Sequence, residues 1–329
     1  MEANQIAQLV QDEIRKAVTQ STYTFSPSKR SIYSPENLDP VVKTVVPTAT
    51  PVRGFIPRVG GMGEAASFNM LTSGLATTAG TGGTGTRVGF ADAGKPSATT
   101  QTYSFVSYPY KNLGRDVEIG RQQIAANRGS NLEDIRAREE LIKTTEVLLG
   151  EEVMTLTGDA ALYSTEYSGF SKLITTNSGS AGLLTASGVS NYAQTLFQNG
   201  ADLVSHLILN PRQNRALSDQ LEGSGSIQRI VIDNQGAATG GQHLANIVDG
   251  NTGNLIKVVT SRYAASWAFL LSVRSAAGEN WIEMSDLETL SIYDVPTANH
   301  SIQSRVFETT VLKVIGEPYQ YKIGGLATS

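Results

Sequence analysis

Apolar residues recur at helical spacing at the start of the chain, where Ile6, Leu9, Val10, Ile14 and Ala17 face away from Glu2, Asp12, Glu13, Arg15 and Lys16. That pattern predicts a short amphipathic helix, too short to persist without a partner surface. Residues 21–52 then carry Pro27, Pro35, Pro40, Pro47 and Pro51. Prolines at this density forbid helix and disfavour central strands, which predicts an extended arm. Composition leaves residues 1–30 open between a disordered leader and an ordered one. Val41, Val42, Val45, Val46 and Val52 make the rest of the arm too apolar to float free.

Residues 54–112 hold glycine, threonine and alanine in place of a core, and 64–112 read as a long β-hairpin. Its arms are predicted at 65–71 and 100–110, the second with Tyr103, Phe105 and Val106. The glycine-rich run 74–86 joins them. Two-stranded ribbons are marginal in water, so this one is expected to lie on another chain.

The most regular stripe comes next. Leu132, Ile135, Ile142, Leu149, Val153 and Leu156 follow at three-, four- and seven-residue steps with no intervening proline. They predict a single helix over 131–157 with one apolar face. Ser130 and Glu133 have the spacing of a capping box, and Gly158 supplies a stop. At 1.5 Å per residue such a helix spans roughly 40 Å. Gly150 costs about 1 kcal/mol relative to alanine and admits a bend. The pairs Glu139-Glu140 and Glu151-Glu152 point to different helix faces and are expected in solvent.

Residues 181–294 read as an α/β unit. A helix is predicted over 190–202 with Tyr192, Leu196 and Phe197 inward, followed by a buried strand over 206–209. Asn210 as N-cap and Pro211 at the first helical position start a second helix, running to Leu221 before the Gly223–Gly225 stop. Strands are predicted at 255–259 and 267–273, with a short one at 281–284. A long alternating strand, 301–315, and a final segment, 317–323, close the chain.

Composition narrows the function classes. The chain has 329 residues and a net charge of −4, which gives no basic footprint of the kind sequence-independent DNA binding requires. It has no cysteine, which removes disulfides and thiolate chemistry and fits synthesis in a reducing cytoplasm. Met1 to Thr19 lacks a signal-peptide pattern, and no run reaches the roughly 18 apolar residues that cross a bilayer.

Two glycine patterns invite a nucleotide reading. Residues 80–85 satisfy a dinucleotide fingerprint by letter, but Thr86 and Arg87 start no helix to meet a phosphate. Residues 89–95 have phosphate-loop spacing, but Pro96 stands where the magnesium-binding hydroxyl belongs. Both read as loops. His206, His243 and His300 are scattered, without ligand spacing. His206, at the head of a buried strand, reads as structural. Lys95 reads as a solvated lysine rather than a cross-linking one. No nucleophile, base and orienting group assemble.

The order of these parts resembles the major capsid proteins of tailed double-stranded DNA phages, with the Hong Kong 97-type fold. The likeness rests on Leu156-Thr157-Gly158-Asp159, on Leu207-Ile208-Leu209-Asn210-Pro211-Arg212, and on Arg305-Val306-Phe307-Glu308 with the run to Ile315. The segment from Asp39-Pro40 to Pro51 adds to it. The resemblance implies an α+β fold: N-terminal arm 1–53, extended loop 54–112, peripheral domain 113–180 with a spine helix at 131–157, axial domain 181–294, and a return to the peripheral domain at 295–329.

It implies a structural protein, not an enzyme, with no catalytic, cofactor-binding or metal residues and no cofactor. Copies would self-assemble as hexamers and pentamers of an icosahedral or prolate virion shell, made in the host cytoplasm. The shell would enclose double-stranded DNA without sequence-specific binding and without a membrane. A separate scaffolding protein, a portal and cement or decoration proteins are the implied partners. The family's large N-terminal scaffolding region is missing here, which implies that separate scaffold or a leader already removed. The alternatives are an encapsulin-like or other viral shell protein and an α/β ligand-binding enzyme. An encapsulin would lack the glycine-rich ribbon, and an enzyme would melt higher with its ligand.

Overall fold

The computed structural model describes residues 49–73, 92, 102–127, 134–223, 245–248, 252–296 and 300–328. The N-terminal helix, most of the arm, the 74–86 run, both glycine motifs, Lys95, His243 and the Ser130–Glu133 capping box lie outside them. Residues 45–130 and 134–329 form one unit; the other, residues 1–44 with 131–133, lies outside the described residues.

Strand β1 (Arg58–Gly60) leads through Gly63, which has a φ of 75°, into the hairpin β2 (Ala65–Ser73) and β3 (Thr102–Pro109). The hairpin is a sheet of two antiparallel strands, with Phe68 opposite Val106 and Leu71 opposite Tyr103. Tyr110 alone separates it from β4 (Lys111–Gly120), and the short helix α1 (Arg121–Asn127) follows.

The long helix, α2, runs Ile135–Thr157, so its start lies four residues beyond the predicted one. Asp134 caps it, its carboxylate accepting the Arg136 amide at 3.0 Å. Gly150 does not interrupt it. Gly158 ends it because no side chain fits there: a Cβ would strike the carbonyl oxygens of Tyr167 and Met154.

The one-turn helix α3 (Phe170–Leu173), strand β5 (Ser178–Ser180), helix α4 (Ala186–Gln198) and strand β6 (His206–Leu209) come next. Helix α4 begins four residues before its predicted start. The Thr185 hydroxyl accepts the Gly188 amide at 3.1 Å, and Gly200, at φ 101°, turns the chain away. Helix α5 (Pro211–Gly223) has the predicted cap, with Asn210 Oδ1 accepting the Gln213 amide at 2.9 Å.

Strands β7 (Asn246–Val248), β8 (Leu255–Thr260) and β9 (Ala268–Leu271) lead to β10 (Ile282–Val295), β11 (Ser301–Val314) and β12 (Tyr321–Gly324). Strand β10 has 14 residues where a short strand was predicted. Its register against β11 shifts at Asp286/Glu288 and again at Glu288/Ser291, and those breaks erase the alternation that marks a strand.

Two larger sheets result, ordered β1-β10-β11-β4 and β5-β12-β9-β6-β8-β7. The 294/295 boundary does not separate them: β10, which ends one residue past it, joins the first sheet, and β12 follows it yet joins the second. Strands β6 and β9 form a shared wall. Ile208, Phe269 and Leu271 face a core with Leu156, Phe170, Ile282 and Leu312, while Leu207, Leu209 and Leu270 face the helix residues Leu196 and Leu217. Period-two alternation with both faces apolar is what a sheet covered on both sides requires. Phe197, expected inward, is exposed instead.

Candidate functional site

Helix α2 is amphipathic in reverse. Its buried residues are Val147, Glu151, Glu152, Thr155 and Leu156, while Leu141, Ile142 and Val153 are exposed. The expected solvation of Glu151 and Glu152 is therefore corrected, since they are 2 % and 1 % exposed. The two carboxylates do point apart, each to its own partners. Glu152 accepts the Val52 amide at 3.3 Å and the Ser261 hydroxyl at 2.7 Å. Burial pushes its carboxyl above the ordinary value, against those two hydrogen bonds.

Glu151 pairs with Arg53 and Arg58, both from the segment that precedes the hairpin. The Arg58 guanidinium also reaches Asp286 of β10 at 2.9 Å and Glu308 of β11 at 2.6 Å. Arg53 adds a longer contact to Glu308 at 3.4 Å, and burial draws its pKa down against the pull of Glu308. The Thr310 hydroxyl donates to Asp286 at 2.6 Å. Three carboxylates from three elements therefore close on two guanidinium groups, with Glu308 wholly buried. Arginine suits this place, because its planar fork satisfies several oxygens at once and it keeps its charge when desolvated.

Beneath the cluster, the Tyr167 hydroxyl hydrogen-bonds Thr155 at 2.9 Å and donates to the Glu151 carbonyl at 3.2 Å. Its burial raises its pKa, which keeps the phenol neutral. Such a cluster fixes geometry. It presents no nucleophile beside a base, and among the described residues no group of three or more His, Cys, Asp or Glu could hold a metal ion.

His206 stacks on Phe55 with ring centroids 4.2 Å apart, and its Nδ1 lies 2.9 Å from the Ser205 hydroxyl. Burial, helped by Lys257, lowers its pKa to about 4, so it is neutral at physiological pH. The structural reading of His206 fits this position. His300 is exposed at the turn before β11.

The hairpin supplies the other conspicuous surface. Val106 and Tyr108 share its half-buried face, whereas Tyr103 and Phe105 are 63 % and 69 % exposed. Neither strand carries a charged residue. Aromatic side chains on an uncharged, exposed ribbon are the mark of an interaction surface.

A long helix beside a four-stranded sheet, a second sheet backed by helices and a two-stranded hairpin make up a fold found in solved capsid and encapsulin structures. The fold is similar to that of the SrpI encapsulin complex from Synechococcus elongatus PCC 7942, with a TM-score of 0.60, 9% identity, and coverage of 89% of this chain and 92% of that one. It is similar to the capsid of Myoviridae phage XM1, with a TM-score of 0.59, 12% identity, and coverage of 88% and 97%. Gordonia phage Cozz gives 0.59, 10% identity, and coverage of 93% and 98%.

The chain matches the SU10 major capsid protein family over residues 17–292 and belongs to that family. It is a phage major capsid protein with the α+β, Hong Kong 97-type fold, a structural component of a shell of many subunits and hence of the virion. A comparison with curated proteins found no match.

Proposed function

We propose that copies of this chain close into hexamers and pentamers, and these into an icosahedral or prolate shell around double-stranded DNA. The observation that carries the reading is the hairpin β2–β3, an uncharged two-stranded ribbon with Phe105 69 % exposed. Laid on a neighbouring copy, that ribbon buries apolar area at roughly 25 cal/mol per Å². Heterologous contacts of this kind close into rings when the rotation between copies permits.

In this reading residues 1–53 act as the arm, 54–112 as the extended loop, 113–180 with 295–329 as the peripheral domain, and 181–294 as the axial domain, with β10 lending a strand to the peripheral sheet and β12 one to the axial sheet. The protein performs no catalysis. The net charge of −4 suits a lining that DNA slides past, with no sequence recognition. Assembly takes place in the host cytoplasm with a separate scaffolding protein, a portal and, on the finished shell, decoration proteins.

Negative-stain imaging and sedimentation of the purified chain, alone and with its scaffold, test the proposal. Closed particles are expected. A species that stays monomeric under both conditions contradicts it. The likeness to an encapsulin favours one second reading, a container for protein cargo. Ultraviolet absorbance of particles isolated from the native host separates the two, because DNA absorbs most strongly near 260 nm and protein near 280 nm.

A further inference from the structure

Among the described residues, residues 52–60 are held by partners distant in sequence. Val52 and Ile56 are buried in the core shared by α2, β10 and β11, and Phe55 stacks on His206. The Met284 amide donates to the Pro57 carbonyl at 2.9 Å, and β1 pairs in parallel with β10 from Met284 to Asp286. Arg53 and Arg58 fill the space among Glu151, Asp286 and Glu308. Every one of those carboxylates belongs to an element held in place by other packing: α2 by Val147 and Leu156, and β10 and β11 by their mutual ladder.

We propose that residues 52–60 are a separately releasable strap whose two guanidinium groups plug a preformed anionic socket made by α2, β10 and β11, locking the long helix to the sheet. Partial release is disfavoured, because withdrawing Arg58 alone leaves buried Asp286 with the Thr310 hydroxyl but no cation, and buried Glu308 with the longer Arg53 contact alone. Docking is therefore all-or-none, as a bistable element requires. The strap immediately precedes the hairpin, so its release strips edge strand β1 from the first sheet and frees the hairpin's root, while β10, β11 and β4 and the second sheet stay folded. The socket's ligand class is a planar cation with several in-plane donors, which a compact ammonium does not mimic.

Limited trypsin digestion of the full chain reads the strap directly, since Arg53 and Arg58 are themselves cleavage points. In the parent chain the bond after Arg53 resists cleavage. In Arg58→Ala that bond is expected to be cut about tenfold faster, while the bonds after Arg305 and Lys313 in β11 keep their rates. Millimolar methylguanidinium is expected to restore protection, and methylammonium at the same concentration is not.

An unchanged rate after Arg53, acceleration at all three bonds together, or equal action of the two cations overturns the proposal. Hydrogen exchange on the parent chain needs no variant. Amides of residues 52–60 are expected to open more readily than those of α2 and β11, and a single common opening for all of them overturns it as well.

Discussion

His206 is uncharged because Phe55 and the strand around it exclude water, and that neutrality has a thermodynamic consequence. Its folded pKa of about 4 lies below the ordinary histidine value, so the unfolded chain takes up a proton that the folded chain refuses. The associated stability is complete above about pH 6.5 and is lost as pH falls toward the folded value. Allowing for the ring's partial exposure, the loss is about 1–2 kcal/mol. Urea unfolding at pH 7 and pH 4.5 checks it: the parent is expected to lose more stability than His206→Gln by that amount. Equal losses would show that the ring is not shielded.

Glu308 is the residue on which the charged cluster turns. Glu308→Ala leaves Arg53 and Arg58 short of a buried partner and is expected to cost about 3 kcal/mol in the same unfolding assay. Little of the cluster was legible in advance. Arg58 lies 93 residues from Glu151, 228 from Asp286 and 250 from Glu308, and no local pattern encodes pairs so far apart. The helix rule that neighbouring glutamates point apart was correct; what it could not supply was the partner on each side. The available hint was two arginines five residues apart among Val52, Phe55 and Ile56, a segment too apolar for both charges to be solvated.

Among elements, those with local signals were the readable ones. Helix α5 was legible because Asn210 and Pro211 make its first turn by themselves, and the hairpin because its two arms are bounded by glycine and proline. Strand β10 was not, since its bulges shift the alternating pattern halfway along. Helix α2 misled in a more instructive way. Its regular apolar stripe is divided: Leu156 is in the core, whereas Ile142 and Val153 are exposed and the core takes the glutamates beside them. Periodicity reports that a face is apolar, and in a subunit of a larger assembly that face is available for a neighbour.

The helix stop carries an element-scale prediction. Gly158→Ala forces a Cβ against two backbone carbonyls and is expected to cost at least 2 kcal/mol, read as a lower urea midpoint at unchanged slope. The hairpin predicts the opposite partition. Phe105→Ser removes one exposed ring, so the subunit's stability is expected to move by less than about 0.5 kcal/mol while particle yield collapses. Loss of subunit stability by several kcal/mol would place that ring in the chain's own core instead.

At the scale of the whole molecule, the protein divides its stability between a body that is complete in one copy and a ribbon that is not. The body has a shared sheet wall with apolar cores on both faces, closed by a buried ion cluster. The ribbon is a two-strand sheet with an exposed aromatic face. Hydrogen exchange of residues 65–73 and 102–109, compared between free subunits and closed particles, tests this division most directly. Slowing of about a hundredfold or more on assembly, with the β6 and β9 amides equally slow in both states, is the predicted result. Ribbon amides already as protected in the free subunit as in the particle would contradict it.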